Sequence, residues 1–254
     1  MVTFLRKRLL PYAGSLVFIL LLLSFWEIGA RIYDRAFILP TPSGVVIRLW
    51  ELRDVLIGVH LPATLQVILV GLGISILFGG ALAVAMNQYQ LMERTFYPLV
   101  IASQTIPIIA LAPIFVLWFG YSIWSKVAVT VLITFFPITV GVFDGLRSSS
   151  RDQIELLKTM GANTRQIFTK IQVPSALPYF FSGMKVAVTL SVIGAAIGEW
   201  LGASRGLGYF SRRMMTQMDG AGVFAPIVLL SILGILLFLF VKWMEYQSMK
   251  WRKR

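Results

Sequence analysis

Long apolar runs alternate with short polar connections along most of the chain. Six runs carry almost no charge over about 20 residues, the length of helix that crosses a hydrocarbon core about 30 Å thick. They predict membrane-spanning helices at residues 10–30, 61–86, 97–119, 125–146, 177–201 and 222–243. The pattern therefore predicts an all-α membrane protein with about six transmembrane helices.

Residues 1–35 are predicted to form the first transmembrane helix. Arg6-Lys7-Arg8 and the apolar run after it are typical of a secretory signal, but no cleavage site of small residues follows. Trp26-Glu27 stands there instead, so we interpret the segment as an uncleaved span. Residues 61–246 are predicted to form a core with five transmembrane helices, and residues 247–254 a basic cytoplasmic tail.

The external segment at residues 36–60 is predicted to contain an amphipathic helix. Pro40 and Pro42 favour an extended entry, and Ser43 is suited to cap a helix. Apolar residues then recur at helical spacing at Val45, Val46, Leu49, Leu52 and Leu56. Charged residues occupy the opposite face, which predicts a helix lying on the membrane surface.

The connection at residues 147–176 is the most informative part of the sequence, because it has helix signals of its own. The residues from Asp152 have the spacing of a capping box, which predicts that a short helix begins there. Gly161 is suited to end it, since glycine readily adopts the left-handed conformation. A second helix is predicted to open at Asn163-Thr164 and to stop at Pro174. The product is a pair of cytoplasmic helices.

The first of these helices has an apolar face formed by Ile154, Leu157 and Met160. An exposed apolar patch usually marks a contact site, so we interpret the face as a docking surface. The alternative is that it folds back on the membrane surface or on the chain's own spans.

Composition narrows the function classes. The chain has 254 residues, 57% of them apolar, and a formal charge of +12, with the bases at the chain ends and between the apolar runs. This distribution fits membrane topology better than a nucleic-acid surface. The chain has no Cys and one His, which excludes a thiolate nucleophile and a His cluster for zinc.

The distribution of basic residues predicts the orientation. The loops on the side of the two termini hold 14 Lys and Arg, and the opposite loops hold 8. Positive charges concentrate on the cytoplasmic side of membrane proteins, so both termini are predicted to be cytoplasmic.

Two residue patterns in this chain resemble known permeases. Glu155-Leu156-Leu157, Gly161 and Ile171-Gln172-Val173-Pro174 have the spacing of the EAA loop of ABC-importer permeases, with leucines where the family has two alanines. The motifs Pro174-Ser175-Ala176-Leu177-Pro178, Glu199-Trp200 and Gly206-Leu207-Gly208 are similar to those of the nitrate/sulfonate/taurine/bicarbonate branch. The resemblance covers roughly residues 40–250 and includes thiamine-pyrimidine-precursor permeases.

The resemblance implies a type-I ABC importer permease in a bacterial inner membrane, working as two copies with two ATPase subunits and an extracytoplasmic binding protein. The 147–176 loop is then a coupling loop. The residues implied to contact the ATPase are Glu155, Leu156, Leu157, Met160, Gly161, Ala162, Ile171 and Pro174. The chain lacks a G-x-x-x-x-G-K-[ST] phosphate loop, so ATP and Mg are expected in the ATPase, with no cofactor, catalytic residue or metal here.

Some polar and kinking residues within the spans are predicted to line the translocation path: Gln104, Thr105, Pro107 and Glu199. Glu199 has a second interpretation, which is a structural pair with Arg205. The basic residues of the loop that follows are predicted either to meet the binding protein or to be simple solvated charges: Arg205, Arg212 and Arg213.

The substrate expected from the resemblance is a thiamine pyrimidine precursor, with sulfonate, taurine, nitrate or bicarbonate as the alternative. Two other classes compete with an importer permease. A membrane-embedded enzyme needs a nucleophile–base pair or metal ligands, and neither is visible in the sequence. A secondary transporter needs ion-coupling carboxylates or an inverted repeat, and would leave the 147–176 loop without a role.

Overall fold

The computed structural model describes residues 2–250, with side chains described from Gly14 onwards. The side chains of Arg6-Lys7-Arg8 and the end of the predicted basic tail, 251–254, lie outside the described residues. The α-helices of the described part are α1 Val2–Tyr33, α2 Pro42–Glu51, α3 Arg53–Val55, α4 Leu61–Gln88, α5 Gln90–Ala102, α6 Ile108–Phe119, α7 Ile123–Arg147, α8 Arg151–Thr159, α9 Thr164–Ile167, α10 Val173–Gly202, α11 Leu207–Thr216 and α12 Gly220–Ser248. π-helical turns at Leu56–His60 and Phe168–Gln172 join α3 to α4 and α9 to α10.

Five helical stretches of the described chain are long and apolar enough to cross a membrane. They are Gly14–Tyr33, Arg53–Gln88, Ile123–Arg147, Thr164–Gly202 and Gly220–Ser248. These stretches contain five of the six predicted spans, and the sixth apolar run, predicted at 97–119, is divided between α5 and α6. The all-α membrane architecture predicted from the sequence is therefore confirmed, with one span in two pieces.

The break in the third span has a local cause. Pro107 has no N–H to donate and disfavours the helical conformation of the residue before it. The hydroxyls of Ser103 and Thr105 donate to the carbonyls of Val100 and Ala102, at 2.7 and 2.8 Å, and so compete with helix continuation. The chain between α5 and α6 is consequently irregular.

Helix α7 forms the centre of the fold, between α4 and α10. A Cβ on Gly194 would lie 3.0 Å from the Cα of Thr130, and one on Gly198 would lie 2.9 Å from the Cα of Lys126. The Gly194–Gly198 pair therefore lets the backbones of α10 and α7 approach closely, as G-x-x-x-G pairs do in membranes.

Helix α2 packs on protein, which corrects the prediction that its apolar face lies on the membrane surface. Val45 and Leu56 are buried, and Leu56 packs with Leu207 and Phe210 of α11. Arg48 bridges to Asp219, at 2.8 Å. The predicted helix is present. One face of it packs against the core of the chain, and the residues of the other face are exposed: Val46, Ile47 and Trp50.

Ion pairs connect helices at the end of the fold that carries α8. Arg147 at the end of α7 binds Glu93 of α5 through two hydrogen bonds, the longer of them 3.0 Å. Lys185 of α10 pairs with Glu245 of α12 at 2.9 Å. In the sequence Lys185 is a lone charge inside a span, and the structure gives it a partner.

Candidate functional site

The coupling loop predicted at residues 147–176 begins with the short, exposed helix α8. Its N-cap is Ser150, whose side chain makes no capping hydrogen bond, and Asp152 lies in the first turn. The predicted capping box with Asp152 at the cap is therefore wrong by two positions. An acidic residue in the first turn still favours the helix, because it interacts with the positive end of the helix dipole.

Helix α8 ends as the sequence predicts. Gly161 has a φ of +82°. Its N–H donates to the carbonyl of Lys158 at 3.0 Å, and the N–H of Ala162 donates to the carbonyl of Leu157 at 2.9 Å. This pair of bonds is the Schellman arrangement, which satisfies the last carbonyls of a helix. Gly161 thus ends α8 and turns the chain toward α9.

The second helix of the loop begins with a reciprocal cap and does not end where it was predicted to end. The side chain of Asn163 accepts from the N–H of Gln166 at 2.9 Å, and the side chain of Gln166 accepts from the N–H of Asn163 at 2.8 Å. Pro174 stands in the first turn of α10 instead of stopping the helix. Proline has no N–H to donate to the helix. The π-helical turn at Phe168–Gln172, just before it, shifts the backbone hydrogen-bond pattern and so accommodates the missing donor.

The second helix of the loop is continuous with a membrane span. The helical stretch Thr164–Gly202 runs without interruption from the loop through the membrane span. The second member of the predicted helix pair is therefore an N-terminal extension of the fifth predicted span.

A cavity of about 640 Å³ lies between α8 and the start of α10. It brings together four of the eight residues implied to contact the ATPase: Leu156, Leu157, Ile171 and Pro174. The other four do not line it: Glu155, Met160, Gly161 and Ala162. Its remaining lining residues were not among those implied to contact the ATPase, although Ser175 and Pro178 belong to the motif that resembles the family: Ser148, Gln153, Lys170, Ser175, Pro178 and Tyr179.

Helix α8 has no buried residue, so its apolar side chains are free for contact. Leu156 is 61% exposed and Met160 is 72% exposed. Of the predicted apolar face, Ile154 and Leu157 are half-buried, and Leu156 is exposed in their place. Helix α8 and Gly161 together form an exposed elbow. This elbow does not fold back into the core, and its apolar surface remains accessible.

The irregular segment between α5 and α6 contains three of the predicted path residues, Gln104, Thr105 and Pro107, and all three are exposed. Helix α5 ends at Ala102, about 9 Å inside the span predicted at 97–119. The N-terminus of α6 has no side-chain cap. Irregular backbone at membrane depth is tolerated only where it is covered by protein or lines a water-filled cavity.

Glu199 is buried near the end of α10 that leads to α11, and it does not pair with Arg205. Its Oε2 accepts from the backbone N–H of Gly208 at 2.8 Å, at the start of α11. The carboxylate of Glu199 thus lies at the N-terminus of α11 and not beside Arg205 as predicted. A helix N-terminus is a favourable position for negative charge. Because Glu199 is fully buried, it does not line an open path in this conformation.

The three arginines predicted to meet a binding protein differ in their surroundings. The guanidinium of Arg212 donates to the carbonyl of Trp200 at the end of α10, which gives it a structural role. Arg205 and Arg213 are exposed and form no ion pair within residues 14–250.

A second cavity, of about 730 Å³, lies between α6, α10 and α12. Its lining is almost entirely apolar. The hydroxyls of Thr189 and Ser231 line it, but each donates within its own helix, to Val186 at 2.8 Å and to Ile227 at 3.0 Å. The cavity therefore offers few groups to bind a polar solute.

Comparison with known proteins fits this architecture. Residues 75–247 match the family described as "Binding-protein-dependent transport system inner membrane component". The chain is 58% identical over 248 residues to the formylaminopyrimidine transport permease protein ThiX of Halalkalibacterium halodurans, covering 98% of this chain and 99% of that protein.

More distant relatives have other substrates in their names. A riboflavin transport system permease protein, RibX of Chloroflexus aurantiacus, is 33% identical over 95% of this chain and 91% of its own length. The taurine transport system permease protein TauC of Escherichia coli is 24% identical over 91% of this chain and 86% of its own length. Helical spans, an exposed elbow at α8 and these matches agree: the chain belongs to the family of inner-membrane components of binding-protein-dependent transport systems and is the permease of an ABC importer.

Proposed function

We propose that two copies of this permease form the translocation path for a formylaminopyrimidine delivered by an extracytoplasmic binding protein. Two separate ATPase subunits bind ATP and Mg and drive transport through the coupling loop. The observation that carries the substrate is the 58% identity, over almost the full length of both proteins, to a formylaminopyrimidine transport permease.

The polar groups near the proposed path fit a neutral solute. Gln104 and Thr105 at the break of the third span are uncharged, and Lys185 is already paired with Glu245. A sulfonate or nitrate needs a cationic or strongly hydrogen-bonding partner when it leaves water. An aminopyrimidine instead requires hydrogen-bond donors and acceptors, which an amide and a hydroxyl supply.

The break between α5 and α6 supports a path formed by two copies. In a single chain, Gln104 and Thr105 would face lipid with irregular backbone beside them, which is costly. A second copy facing this segment removes that cost, either by covering the segment or by enclosing a wet cavity against it. The path in this proposal therefore runs beside residues 103–107.

The inner elbow supports coupling to an ATPase. Leu156 and Met160 present apolar surface outside the predicted membrane spans, and the cavity behind α8 leaves room for the elbow to move. Differential affinity of the ATPase for two positions of the elbow is sufficient to couple ATP binding to the spans. The larger number of basic residues at this end of the molecule supports a cytoplasmic position for the elbow and for both termini in a bacterial cell.

Uptake tests the substrate. A bacterial strain that cannot make the thiamine pyrimidine is supplied with this permease, its ATPase and its binding protein, and uptake of radiolabelled formylaminopyrimidine is followed. We expect ATP-dependent uptake that unlabelled formylaminopyrimidine suppresses and an excess of taurine does not. Uptake of taurine, with none of formylaminopyrimidine, would support the sulfonate alternative that the relation to TauC raises.

A further inference from the structure

The apolar cavity between α6, α10 and α12 is elongated along the helices. Its lining on α10 begins at Thr189 and ends at Leu201, and its lining on α12 begins at Ile227 and ends at Phe238. With a rise of about 1.5 Å per residue, these two sets cover about 18 and 17 Å of helix. One leaflet is half of a hydrocarbon core about 30 Å thick, so the cavity is about as long as one leaflet is deep.

The cavity is open at the surface of the bundle and demands no polar occupant. Ile193 and Ile235, which line it from α10 and α12, are 53% and 60% exposed. The hydroxyls of Thr189 and Ser231 are already bonded to carbonyls of their own helices. An apolar occupant therefore leaves no hydrogen bond unmade in the cavity.

A cation lies at the end of the cavity nearest α11. Trp200 lines this end, and the guanidinium of Arg212 donates to the carbonyl of Trp200. Arg212 forms no ion pair among residues 14–250, and a guanidinium has five N–H donors, so donors remain for a further acceptor. Tryptophan is enriched where membrane meets water, so Trp200 suits a position at the level of the lipid headgroups.

The charge near this end of the cavity is positive. Arg213 follows Arg212 on α11, and the segment 199–219 contains only two acids, Glu199 and Asp219. Both acids are engaged, because Glu199 accepts a backbone N–H and Asp219 bridges to Arg48 at 2.8 Å. An anionic group is therefore complementary to Arg212.

We propose that this cavity is a binding site for an anionic phospholipid, with an acyl chain between α10 and α12 and the headgroup phosphate on Arg212. The length of the cavity, its apolar lining and the cation at one end match the three parts of such a lipid. A helix of a second copy is the competing occupant. The inference concerns the permease alone and does not depend on which solute it transports.

Native mass spectrometry of the purified, delipidated permease tests the headgroup position, with phosphatidylglycerol as the probe. We expect one phosphatidylglycerol per chain to bind more tightly than the rest. Arg212→Gln keeps a donor for the carbonyl of Trp200 but removes the charge, so it is expected to weaken this binding about tenfold, or about 1.4 kcal/mol. Arg213→Gln is the matched control on the same helix and is expected to stay near the parent value.

Filling the cavity tests the acyl-chain position. A Cβ on Gly234 would lie 3.6 Å from Val192, an ordinary contact, so the backbone accommodates Gly234→Leu. This variant is expected to lose the tight phosphatidylglycerol, and Ser231→Phe, one turn away on α12, is expected to do the same. Gly73→Leu is the matched control, because Gly73 is exposed and a Cβ there would have no neighbouring atom within 4 Å.

Unchanged phosphatidylglycerol binding in both filling variants would overturn the acyl-chain site. Equal binding in Arg212→Gln and Arg213→Gln, or displacement of the lipid by inorganic phosphate, would overturn the headgroup position. A second copy in the cavity is detected with Ile193→Cys, since the chain has no other Cys. Efficient disulfide formation between two Ile193→Cys chains in membranes would overturn the proposal.

Discussion

At the scale of single residues, the sequence indicates which side chains matter better than it indicates their partners. Gly161 is predicted to end a helix and has the positive φ that this role requires. Glu199 is recognisable as a costly carboxylate, yet its partner is a backbone N–H nine residues later. No side-chain pattern marks a backbone donor, so the sequence favours Arg205 instead.

Gly208 gives a prediction at this scale. A Cβ on Gly208 would lie 2.6 Å from the carbonyl oxygen and 2.9 Å from the Cα of Ala196, so Gly208→Ala forces α11 away from α10. Overpacking of this kind costs about 1–3 kcal/mol, and we expect a lower thermal unfolding temperature in detergent.

The matched control for this change is Gly73→Ala. A Cβ on Gly73 would have no neighbouring atom within 4 Å, and alanine is the better helix former. This variant should be at least as stable as the parent protein. Equal unfolding temperatures for Gly208→Ala and Gly73→Ala would show that the close approach of α11 to α10 is not needed.

At the scale of helices, hydrophobic runs locate the spans, because an uncharged apolar run long enough to cross a bilayer is typical of a transmembrane helix. Local breaks are harder to predict. Pro107 interrupts its span while Pro137 lies inside the continuous α7, although both prolines are candidates for a kink. Ser103 and Thr105 offer the backbone alternative hydrogen bonds before Pro107, but Thr134 makes a similar bond before Pro137, so the residue types alone do not predict which proline interrupts a span.

The ion pair between α10 and α12 gives a prediction at this scale. Lys185 and Glu245 are both mostly buried, with 24% and 20% of their side-chain surface exposed. Glu245→Gln leaves a lysine without its charge partner inside the helix contact, and we expect a loss of about 1–3 kcal/mol, between the values for exposed and fully buried pairs. Thermal unfolding of the purified permease measures it.

Exchanging the two charges provides the check. The double variant Lys185→Glu with Glu245→Lys restores a pair and should recover more than half of the lost stability. Lys242→Gln, on the same helix, removes a charge that makes no ion pair among residues 14–250 and should have little effect. If the exchanged variant loses as much stability as the two single changes together, the attraction between the two charges contributes nothing.

At the scale of the whole molecule, the two ends of the helix bundle have different properties. Helices α2 and α11 with the side chains that contact them form one end, and the elbow with its neighbouring ion pairs forms the other. The family and the spans follow from the sequence. The continuity of Thr164–Gly202 does not, because Pro174 usually signals a helix end and a π-helical turn has no recognised sequence signature.

Orientation in the membrane is the prediction for the whole molecule. Met218 lies just after α11 and is 64% exposed, and Met160 lies on the elbow. In this Cys-free chain, Met218→Cys should react with a membrane-impermeant maleimide once the outer layers of the cell are removed. Met160→Cys should react only after the inner membrane is opened, and the reverse pattern would invert the proposed topology.

The central claim is that the exposed elbow binds the ATPase, and co-purification with that ATPase tests it most directly. Met160→Asp places a charge on the elbow, whereas Met215→Asp makes the same change on the opposite end of the molecule. We expect Met160→Asp to reduce the amount of ATPase recovered at least tenfold, equivalent to about 1.4 kcal/mol, with normal membrane insertion. Met215→Asp should retain the ATPase in full. Full recovery of the ATPase with Met160→Asp and with Glu155→Lys would contradict the account.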